Sequence, residues 1–193
     1  MNDTREKIIE TAFVLLVKNG YNGVSIGDIT GALDITRSLP YRYFESKREL
    51  LFEACRQYFF ERFFPKDFDV KSATMEELLE VISENMERII FGLSKSLGAE
   101  VSVFDYNLMY FDALRNEPRF KKFMRSKIRE LRIVVDNALK SGELRTGIPA
   151  EFVERVFGDI WSRCEYVQDT VSNKKSVARM LDDIWTFYNL IKR

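Results

Sequence analysis

The scarcity of proline and glycine is the feature that most restricts how this chain can fold. Four prolines and nine glycines are spread over 193 residues, which leaves little material for the tight turns of a many-stranded β fold. Apolar residues recur instead at helical spacing, and strict alternation never extends beyond a few residues. The pattern predicts an all-α protein of about nine helices.

Composition indicates a folded protein of modest size. The chain is 46% hydrophobic and 13% aromatic, which is enough for a buried core and too much for a disordered chain. At roughly 150 residues per domain, we expect one large domain or two unequal ones. The first apolar run, 12–17, is too short for a signal peptide, and no run reaches the roughly 18 apolar residues of a membrane span. We therefore expect a cytoplasmic protein with no membrane partner.

The absence of histidine argues against several classes of enzyme. With no imidazole, the usual serine or cysteine triad, a histidine general base and His-ligated zinc are excluded. Cys55 and Cys164 lie far apart, so the sequence suggests neither a zinc site nor a dithiol redox centre. We expect no enzyme, no metal and no cofactor, although chemistry based on carboxylates alone stays open.

The charge is balanced overall but not locally. Thirty Lys and Arg residues cancel thirty Asp and Glu residues, so the whole molecule has no field that attracts nucleic acid. The stretch 36–48 is an exception, because it contains a single acidic residue, Glu45, and four basic residues, Arg37, Arg42, Lys47 and Arg48. Binding to an anionic partner would therefore depend on this local patch.

Start and stop signals predict two helices at the N-terminus. The first begins at an N-cap pair of Asp3 and Glu6 and ends at 18–20, where glycine supplies a stop. The second begins at Ser25 and Asp28, whose side chains can satisfy the unpaired N–H groups of a helix start. We expect its short buried face to consist of Ile29, Ala32 and Leu33.

Proline modifies the next predicted helix. Thr36 is suited to be its N-cap, and Pro40 then falls near the fourth helical position, where it removes at most one intrahelical bond. A short or 3₁₀-like helix is the expected result. A capping box formed by Ser46 and Glu49 begins a longer helix over 46–64.

The segment 65–74 is the best candidate for a domain boundary. Beyond it, apolar residues at helical spacing predict five further helices. One starts at Met75, and the others cover about 101–114, 118–141, 150–168 and 174–192.

Two short helices joined by a tight turn, with a basic second helix, are the geometry of a helix-turn-helix DNA reader. Arg37 can pair with guanine, and Leu39 can touch a thymine methyl group. Lys47, at the start of the next helix, is placed to hold a phosphate. From charge and spacing alone, these residues could equally form the ordinary surface of a small helical domain.

A family resemblance favours the DNA-binding interpretation. The residues that carry it are Ile8, Ala12, Gly20-Tyr21, Ser25, Ile29, Tyr41-x-Tyr43-Phe44, Ser46-Lys47 and Leu50-Leu51. With these residues, the run from Thr4 to Leu51 closely resembles the N-terminal domain of the TetR (tetracycline repressor) family of bacterial transcriptional regulators. A weaker resemblance, Gly142 to Pro149, is to the linker before the family's penultimate helix. The resemblance implies a helix-turn-helix domain over 1–48, connected by helix 46–64 to a ligand-binding and dimerisation domain over 66–193.

The resemblance also implies which residues contact DNA. They are Ser25, Gly27, Thr36, Arg37, Ser38, Leu39, Tyr41 and Lys47. Arg42 is an additional charge, which either reaches a phosphate or is merely solvated. Asp34 stands where the family usually has glycine in the turn, and Pro40 replaces a leucine or phenylalanine. The proline affects the expected register of base contacts.

The same resemblance implies a homodimer with an effector site in its C-terminal domain. Candidate walls of an effector pocket are Met86, Phe91, Phe104, Tyr106, Tyr110, Phe111, Phe123 and Trp161. Candidate residues of the dimer interface are Phe157, Trp161, Cys164, Ile184, Trp185 and Tyr188. For each of these side chains, ordinary core packing is the alternative.

Together these features predict a regulator, in the simplest case a repressor, that a small apolar or aromatic effector releases from a palindromic DNA operator. No lysine or arginine lies centrally enough in the apolar faces to indicate an anionic ligand. The alternatives are a helical adaptor that has lost DNA binding and a helical enzyme that works without histidine.

Overall fold

A computed structural model describes residues 2–65, 68–98, 101, 103–162 and 173–193. These residues form eight α-helices and three short 3₁₀ helices, and no strand occurs among them. The α-helices are α1 (Asn2–Asn19), α2 (Ile26–Leu33), α3 (Lys47–Phe59), α4 (Met75–Leu97), α5 (Val103–Asn116), α6 (Pro118–Ser141), α7 (Ala150–Ser162) and α8 (Asn173–Ile191). The all-α prediction is confirmed. Of the nine predicted helices, the one over the basic stretch is a 3₁₀ helix, Pro40–Arg42.

Several predicted helix ends are confirmed by their capping geometry. Ser25 and Asp28 form a reciprocal capping box at the start of α2. Asp34 ends that helix in the left-handed conformation. Gly142 closes α6 with φ of 81°, where a side chain would be strained. An unpredicted capping box of Thr74 and Glu77 begins α4, directly after the predicted boundary segment.

Three details of the N-terminal helices differ from the sequence-based expectation. Asp3 lies inside α1 and pairs with Lys7 instead of capping the helix. Ala32 is exposed, whereas Thr30 is buried, and the Thr30 hydroxyl is satisfied by donating to the carbonyls of the preceding turn. At the start of α3, the carboxylate of Glu49 accepts from the backbone N–H of Glu45, not from that of the N-cap residue.

The helix predicted over 46–64 is interrupted. α3 ends at Phe59, and a separate 3₁₀ helix covers Glu61–Phe63. Phe59, Phe60 and Phe63 are all buried, so the apolar side chains on both sides of the interruption contribute to the core.

One cluster of buried apolar side chains extends through the described part of the chain. α1 packs against α2 and α3, and it also touches α4 and α5. The ring of Phe13 in α1 stacks on Tyr58 at 4.2 Å and lies 6.3 Å from Tyr106 in α5. The N-terminal helices therefore pack directly against the C-terminal helices. None of the helices described here is long and apolar enough to cross a membrane.

Candidate DNA-binding surface and effector cavity

The capping box of α2 fixes the first predicted contact residue. The Ser25 hydroxyl accepts from the Asp28 N–H at 3.1 Å, and the Asp28 carboxylate accepts from the Ser25 N–H at 2.8 Å. Hydrogen bonds from Ser25 lower the pKa of Asp28. Ser25 is exposed, so the helix start is both rigid and accessible.

The turn between the two helices depends on Asp34. Its φ and ψ are 52° and 47°, and it is the only non-glycine residue with positive φ in the described part of the chain. The N–H of Asp34 bonds to the carbonyls of Thr30 and Gly31, which completes the end of α2. Aspartate adopts this conformation more readily than most residues, so the turn forms without glycine.

Pro40 determines the shape of the segment that follows. Because proline has no N–H, it cannot donate to the carbonyl of Thr36, which accepts instead from Leu39 at 3.0 Å. Arg42 bonds to Leu39, and Tyr43 to Pro40, by the same three-residue spacing. The recognition segment 36–44 is therefore mostly a series of 3₁₀-type turns, which ends in one four-residue bond from Phe44 to Pro40.

The predicted contact residues of this segment are accessible. Thr36, Arg37, Ser38, Tyr41 and Arg42 are exposed, and Leu39 is half-buried. Tyr41 keeps 53% of its surface accessible, which is unusual for a large ring. Buried Pro40 anchors the segment from the inside.

The two predicted contact regions form one continuous surface. The guanidinium of Arg37 lies 3.0 Å from the position that a Cβ atom on Gly27 would occupy. Neither Arg37 nor Arg42 forms an ion pair with a residue that the structure describes. Their charges are therefore available to an anionic partner.

The other two cations of the basic stretch have partners inside the protein. Lys47 donates from Nζ to the backbone carbonyl of Val24 at 2.7 Å. Arg48 donates from Nε to the carboxylate of Glu117 at 2.8 Å, and Glu117 has no exposed surface. Glu117 therefore neutralises Arg48, whereas the bond to a neutral carbonyl leaves the charge of Lys47 on this surface.

Glu117 is a functional candidate that the sequence analysis missed. It is the N-cap of α6, and its carboxylate also accepts from the Tyr21 hydroxyl at 3.0 Å and from the Arg119 N–H at 3.0 Å. Burial alone raises the pKa of Glu117, but hydrogen bonds from Arg48, Arg119 and Tyr21 outweigh it and lower the pKa. Burial and the neighbouring carboxylate raise the pKa of Tyr21. An acidic residue before Pro118 suggests a helix cap, but nothing local in the sequence indicates partners so far away in the chain.

A cavity of about 350 Å³ lies between α4, α5, α6, α7 and α8 and the turn after α3. This volume is near the lower end of the range for small-molecule sites. Its walls are mainly aliphatic and aromatic. Representative lining residues from these elements are Phe63, Leu78, Met124, Val135, Phe157 and Ile184.

Three of the eight predicted pocket residues line this cavity: Tyr106, Tyr110 and Trp161. Tyr106 is fully buried and donates its hydroxyl proton to the carbonyl of Tyr58. Burial raises the pKa of Tyr110, whose hydroxyl has no hydrogen-bond partner among the described residues. That hydroxyl could therefore bond to a ligand.

The other five predicted pocket residues lie elsewhere. Phe91 and Phe111 are on the exposed sides of α4 and α5, and Met86 is fully buried in the core. Phe104 is half-buried outside the cavity lining, and Phe123 packs against Phe52, Phe60 and Phe120. Helical spacing identified apolar faces, but it could not show which faces converge on a cavity.

The rim of the cavity is charged, although the sequence places no lysine or arginine centrally in the apolar faces. Arg132 and Glu154 are both lining residues, and they are joined by an ion pair of 3.1 Å. Arg132 also pairs with Glu151. Burial raises the pKa of Glu154, with nearby charges contributing less. Ile128, which is 48% exposed, lines the cavity on the same helix as Arg132.

The predicted dimer-interface residues mostly point into their own subunit. Ile184 and Phe157 line the cavity together with Trp161, and Trp185 donates from Nε1 to the Ser83 hydroxyl at 3.1 Å. Tyr188 has no exposed surface, and its hydroxyl donates to Glu143 at 2.9 Å. Cys164 lies outside the described residues. The large apolar side chains that α7 and α8 expose are Phe152 and Leu190, which the sequence analysis did not select.

Within the described ranges, no cluster of acidic and cysteine side chains could hold a metal ion. The capped helix α2, the turn at Asp34 and the exposed recognition segment together have the arrangement of a helix-turn-helix unit, and a partly open apolar cavity lies among the C-terminal helices. Comparison with known proteins agrees: the family model "Bacterial regulatory proteins, tetR family" matches residues 8–54. Residues 8–54 therefore match the helix-turn-helix region of the TetR family of transcriptional regulators, and the proteins similar to this chain are named as regulators, not as enzymes.

Related sequences are named as regulators too. The "Fatty acid metabolism regulator protein" of Bacillus subtilis (strain 168) is 22% identical over 185 residues, which are 91% of this chain and 92% of that protein. The "Uncharacterized HTH-type transcriptional regulator YerO" of the same organism is 36% identical over 58 residues. That second match covers 30% of this chain and only 20% of the relative.

Solved structures share the fold over nearly the whole chain. The ketosteroid transcriptional regulator KstR2 of Mycobacterium tuberculosis has a TM-score of 0.64 and 18% identity, covering 100% of this chain and 97% of that one. The TetR family regulator PfmR from Thermus thermophilus has a TM-score of 0.59 and 16% identity, with 98% and 95% coverage. At this level of identity, the similarity establishes the fold only.

Proposed function

We propose that the chain is a dimeric repressor that releases its DNA operator when an apolar effector fills the cavity. The observation that carries the proposal is the exposed recognition segment, in which Arg37 and Arg42 have no partner ion within the described protein. An arginine in that condition can pair with a guanine edge or a phosphate without first breaking an internal bond.

The DNA-contacting surface has two parts. Thr36, Arg37, Ser38, Leu39 and Tyr41 are placed to meet base edges. Ser25, Gly27, Arg42 and Lys47 are placed to hold the backbone, and the positive end of α2 supports contact with phosphate. Lys47 keeps two of its three N–H donors after bonding to the carbonyl of Val24, so it can bond to the protein backbone and to a phosphate at the same time.

We infer that two copies pair through the outward faces of α7 and α8. Family members act as dimers, and exposed Phe152 and Leu190 provide apolar surface on these two helices. A dimer can place two recognition segments about 34–36 Å apart, in successive major grooves of a palindromic site. One copy alone would bind weakly.

The effector is proposed to be a small apolar molecule with one polar end. Aliphatic and aromatic walls would hold its body, and the Tyr110 hydroxyl or the Arg132–Glu154 pair at the rim would receive the polar group. A fatty acyl chain has this form, and the name of the Bacillus subtilis fatty acid metabolism regulator supports it as the first class to test. The absence of histidine argues against recognition through a chelated metal.

In this proposal, residues 1–48 bind DNA, and residues 66–193 bind the effector and form the dimer. The bent segment 46–64 connects the two units. The protein would act in the cytoplasm, where its operator is. An adaptor without DNA binding is disfavoured, because Asp34 and Pro40, the two unusual residues, are accommodated without burying the recognition segment.

The test is a gel shift of the DNA upstream of the protein's own gene, with and without a panel of saturated fatty acids and polycyclic hydrocarbons. We expect a retarded band that at least one apolar compound abolishes. Leu131→Trp, which fills the cavity wall, should abolish that response and keep the band, while Leu108→Trp, on an exposed face, should keep both. Failure to bind any duplex at low salt would contradict the proposal.

A further inference from the structure

The buried carboxylate of Glu117 joins the two parts of the molecule at one point. It accepts from the Tyr21 hydroxyl in the turn before α2 and from the Arg48 guanidinium on the first turn of α3. Arg119 supplies further donors from its backbone N–H and its side chain. A charge with no exposed surface is tolerated only when it is this well paired.

Neighbouring contacts hold the same two segments of the N-terminal unit. The Tyr21 N–H donates to the Asp112 carboxylate at 2.7 Å, and Asn22 donates to Asn116 at 3.2 Å. Arg119 donates from Nη2 to the carbonyl of Arg48 at 3.1 Å. The junction between α5 and α6 therefore forms hydrogen bonds to the helix-turn-helix unit at two places. One is before α2 and the other is at the start of α3, so the contacts lie on either side of the recognition segment.

The same junction is connected to the cavity. Tyr110 precedes Glu117 by two turns of α5, Met124 follows it by two turns of α6, and both side chains line the cavity. Phe120, with no exposed surface, lies one turn after Glu117 on α6, and its ring centroid is 6.0 Å from that of Tyr110 and 5.6 Å from that of Phe59. A ligand that contacts Tyr110 and Met124 therefore acts on both helices within two turns of their junction at Glu117.

We infer that Glu117 is the positioning residue through which the cavity and the recognition segment influence each other. It does not touch DNA or effector; it holds Tyr21 and Arg48 in the orientation set by α5 and α6. This inference rests on the proposed function, because it requires that the recognition segment binds DNA. Coupling between two sites is reciprocal, so DNA binding must alter the cavity helices through the same residue.

Reciprocity allows a test that needs no effector. The full-length chain is incubated with the duplex that it recovers from a random-sequence pool, and hydrogen exchange is measured with and without that duplex. In the unsubstituted chain, DNA should change exchange in the helix-turn-helix peptides and also in α5 and α6. In Glu117→Gln, the change in α5 and α6 should be lost, while DNA affinity stays within about tenfold.

Controls separate coupling from simple loosening of the fold. A loosened fold would change hydrogen exchange even in the absence of DNA. Coupling through Glu117 instead affects the difference between hydrogen exchange with and without DNA. Glu130→Gln removes a carboxylate from the same helix and should keep the full response. If Glu117→Gln does not fold, Tyr21→Phe, which removes one hydrogen bond to the carboxylate, should reduce the response in α5 and α6.

Each remaining outcome has a definite meaning. A full response in Glu117→Gln, or in Tyr21→Phe where that variant is used, would overturn the inference. A response confined to the helix-turn-helix peptides of the unsubstituted chain would overturn it and leave the proposed function intact. Recovery of no duplex at all would overturn the proposed function, and this inference with it.

Discussion

The ammonium group of Lys47 donates a hydrogen bond to the backbone carbonyl of Val24 across 2.7 Å. The bond ties the first residue of α3 to the residue before the Ser25 cap of α2. A lysine predicted from sequence to hold phosphate therefore also fixes the scaffold of the DNA-binding surface.

Replacing Lys47 should affect both roles. In Lys47→Met, we expect affinity to fall for all DNA sequences alike and the salt dependence of binding, as a log–log slope, to decrease by about one. Loss of the bond to Val24 should lower the free energy of unfolding by about 1 kcal/mol. Fluorescence anisotropy over a salt series and urea denaturation measure the two effects. Lys18→Met is the control, and equal salt slopes for Lys47→Met and the unsubstituted chain would refute the phosphate contact.

Arg37 and Arg42 should differ in what they contribute to DNA recognition. Arg37→Ala should cost about 1–3 kcal/mol of binding free energy and relax specificity at one base pair, because a bidentate arginine reads guanine. Arg42→Ala should weaken binding without relaxing specificity, as expected for a phosphate contact. Affinities for a set of duplexes with single base-pair changes distinguish the two. Unchanged sequence preference in Arg37→Ala would contradict the assignment of Arg37 to a base contact.

The left-handed backbone at Asp34 makes a prediction about stability. Within the described structure, the side chain of Asp34 forms no hydrogen bond that would offset the backbone strain of its φ of 52°. Asp34→Ala should therefore destabilise the protein by about 1 kcal/mol, since alanine adopts this conformation less readily. Asp34→Gly should be at least as stable as the original. Thermal unfolding followed by circular dichroism gives both values, and an alanine variant as stable as the glycine variant would contradict the strain argument.

The lowered pKa of Glu117 predicts how stability changes in acid. Its ionised form is favoured in the folded state, so its contribution is fully present above the unfolded pKa of about 4.3 and is lost as pH falls through the lower folded value. Glu117→Gln lacks a titrating group there and should lose less stability below about pH 4.5. Urea denaturation at a series of pH values measures this difference. Equal slopes for the two proteins would contradict the assignment of an ionised, hydrogen-bonded carboxylate.

Local signals in the sequence predicted the parts of the structure that local chemistry determines. Capping residues located the start of α2, Asp34 and Gly142 located two helix ends, and Pro40 predicted the 3₁₀ character of the recognition segment. Each of these features depends on hydrogen bonds between residues a few positions apart. These local features could therefore be predicted from the sequence.

Features that depend on distant residues could not be predicted in the same way. Glu117 bonds to Tyr21 and Arg48, which are 96 and 69 positions away, and no spacing rule connects them. Tyr188 and Ile184 were expected at a dimer interface because they are apolar and lie on the last helix. They are directed into the core and the cavity instead, since apolar periodicity shows that a face is buried but not against what.

The central claim is that a dimer of this chain reads a symmetric DNA site. Selection from a random duplex pool by the full-length protein, followed by sequencing of the bound fraction, tests it most directly. We expect recovery of a palindrome whose half-site centres are about 10–10.5 base pairs apart or a multiple of that spacing, with binding lost on mutation of either half. Recovery of no enriched sequence at low salt, or of single asymmetric sites bound by one copy, would contradict it.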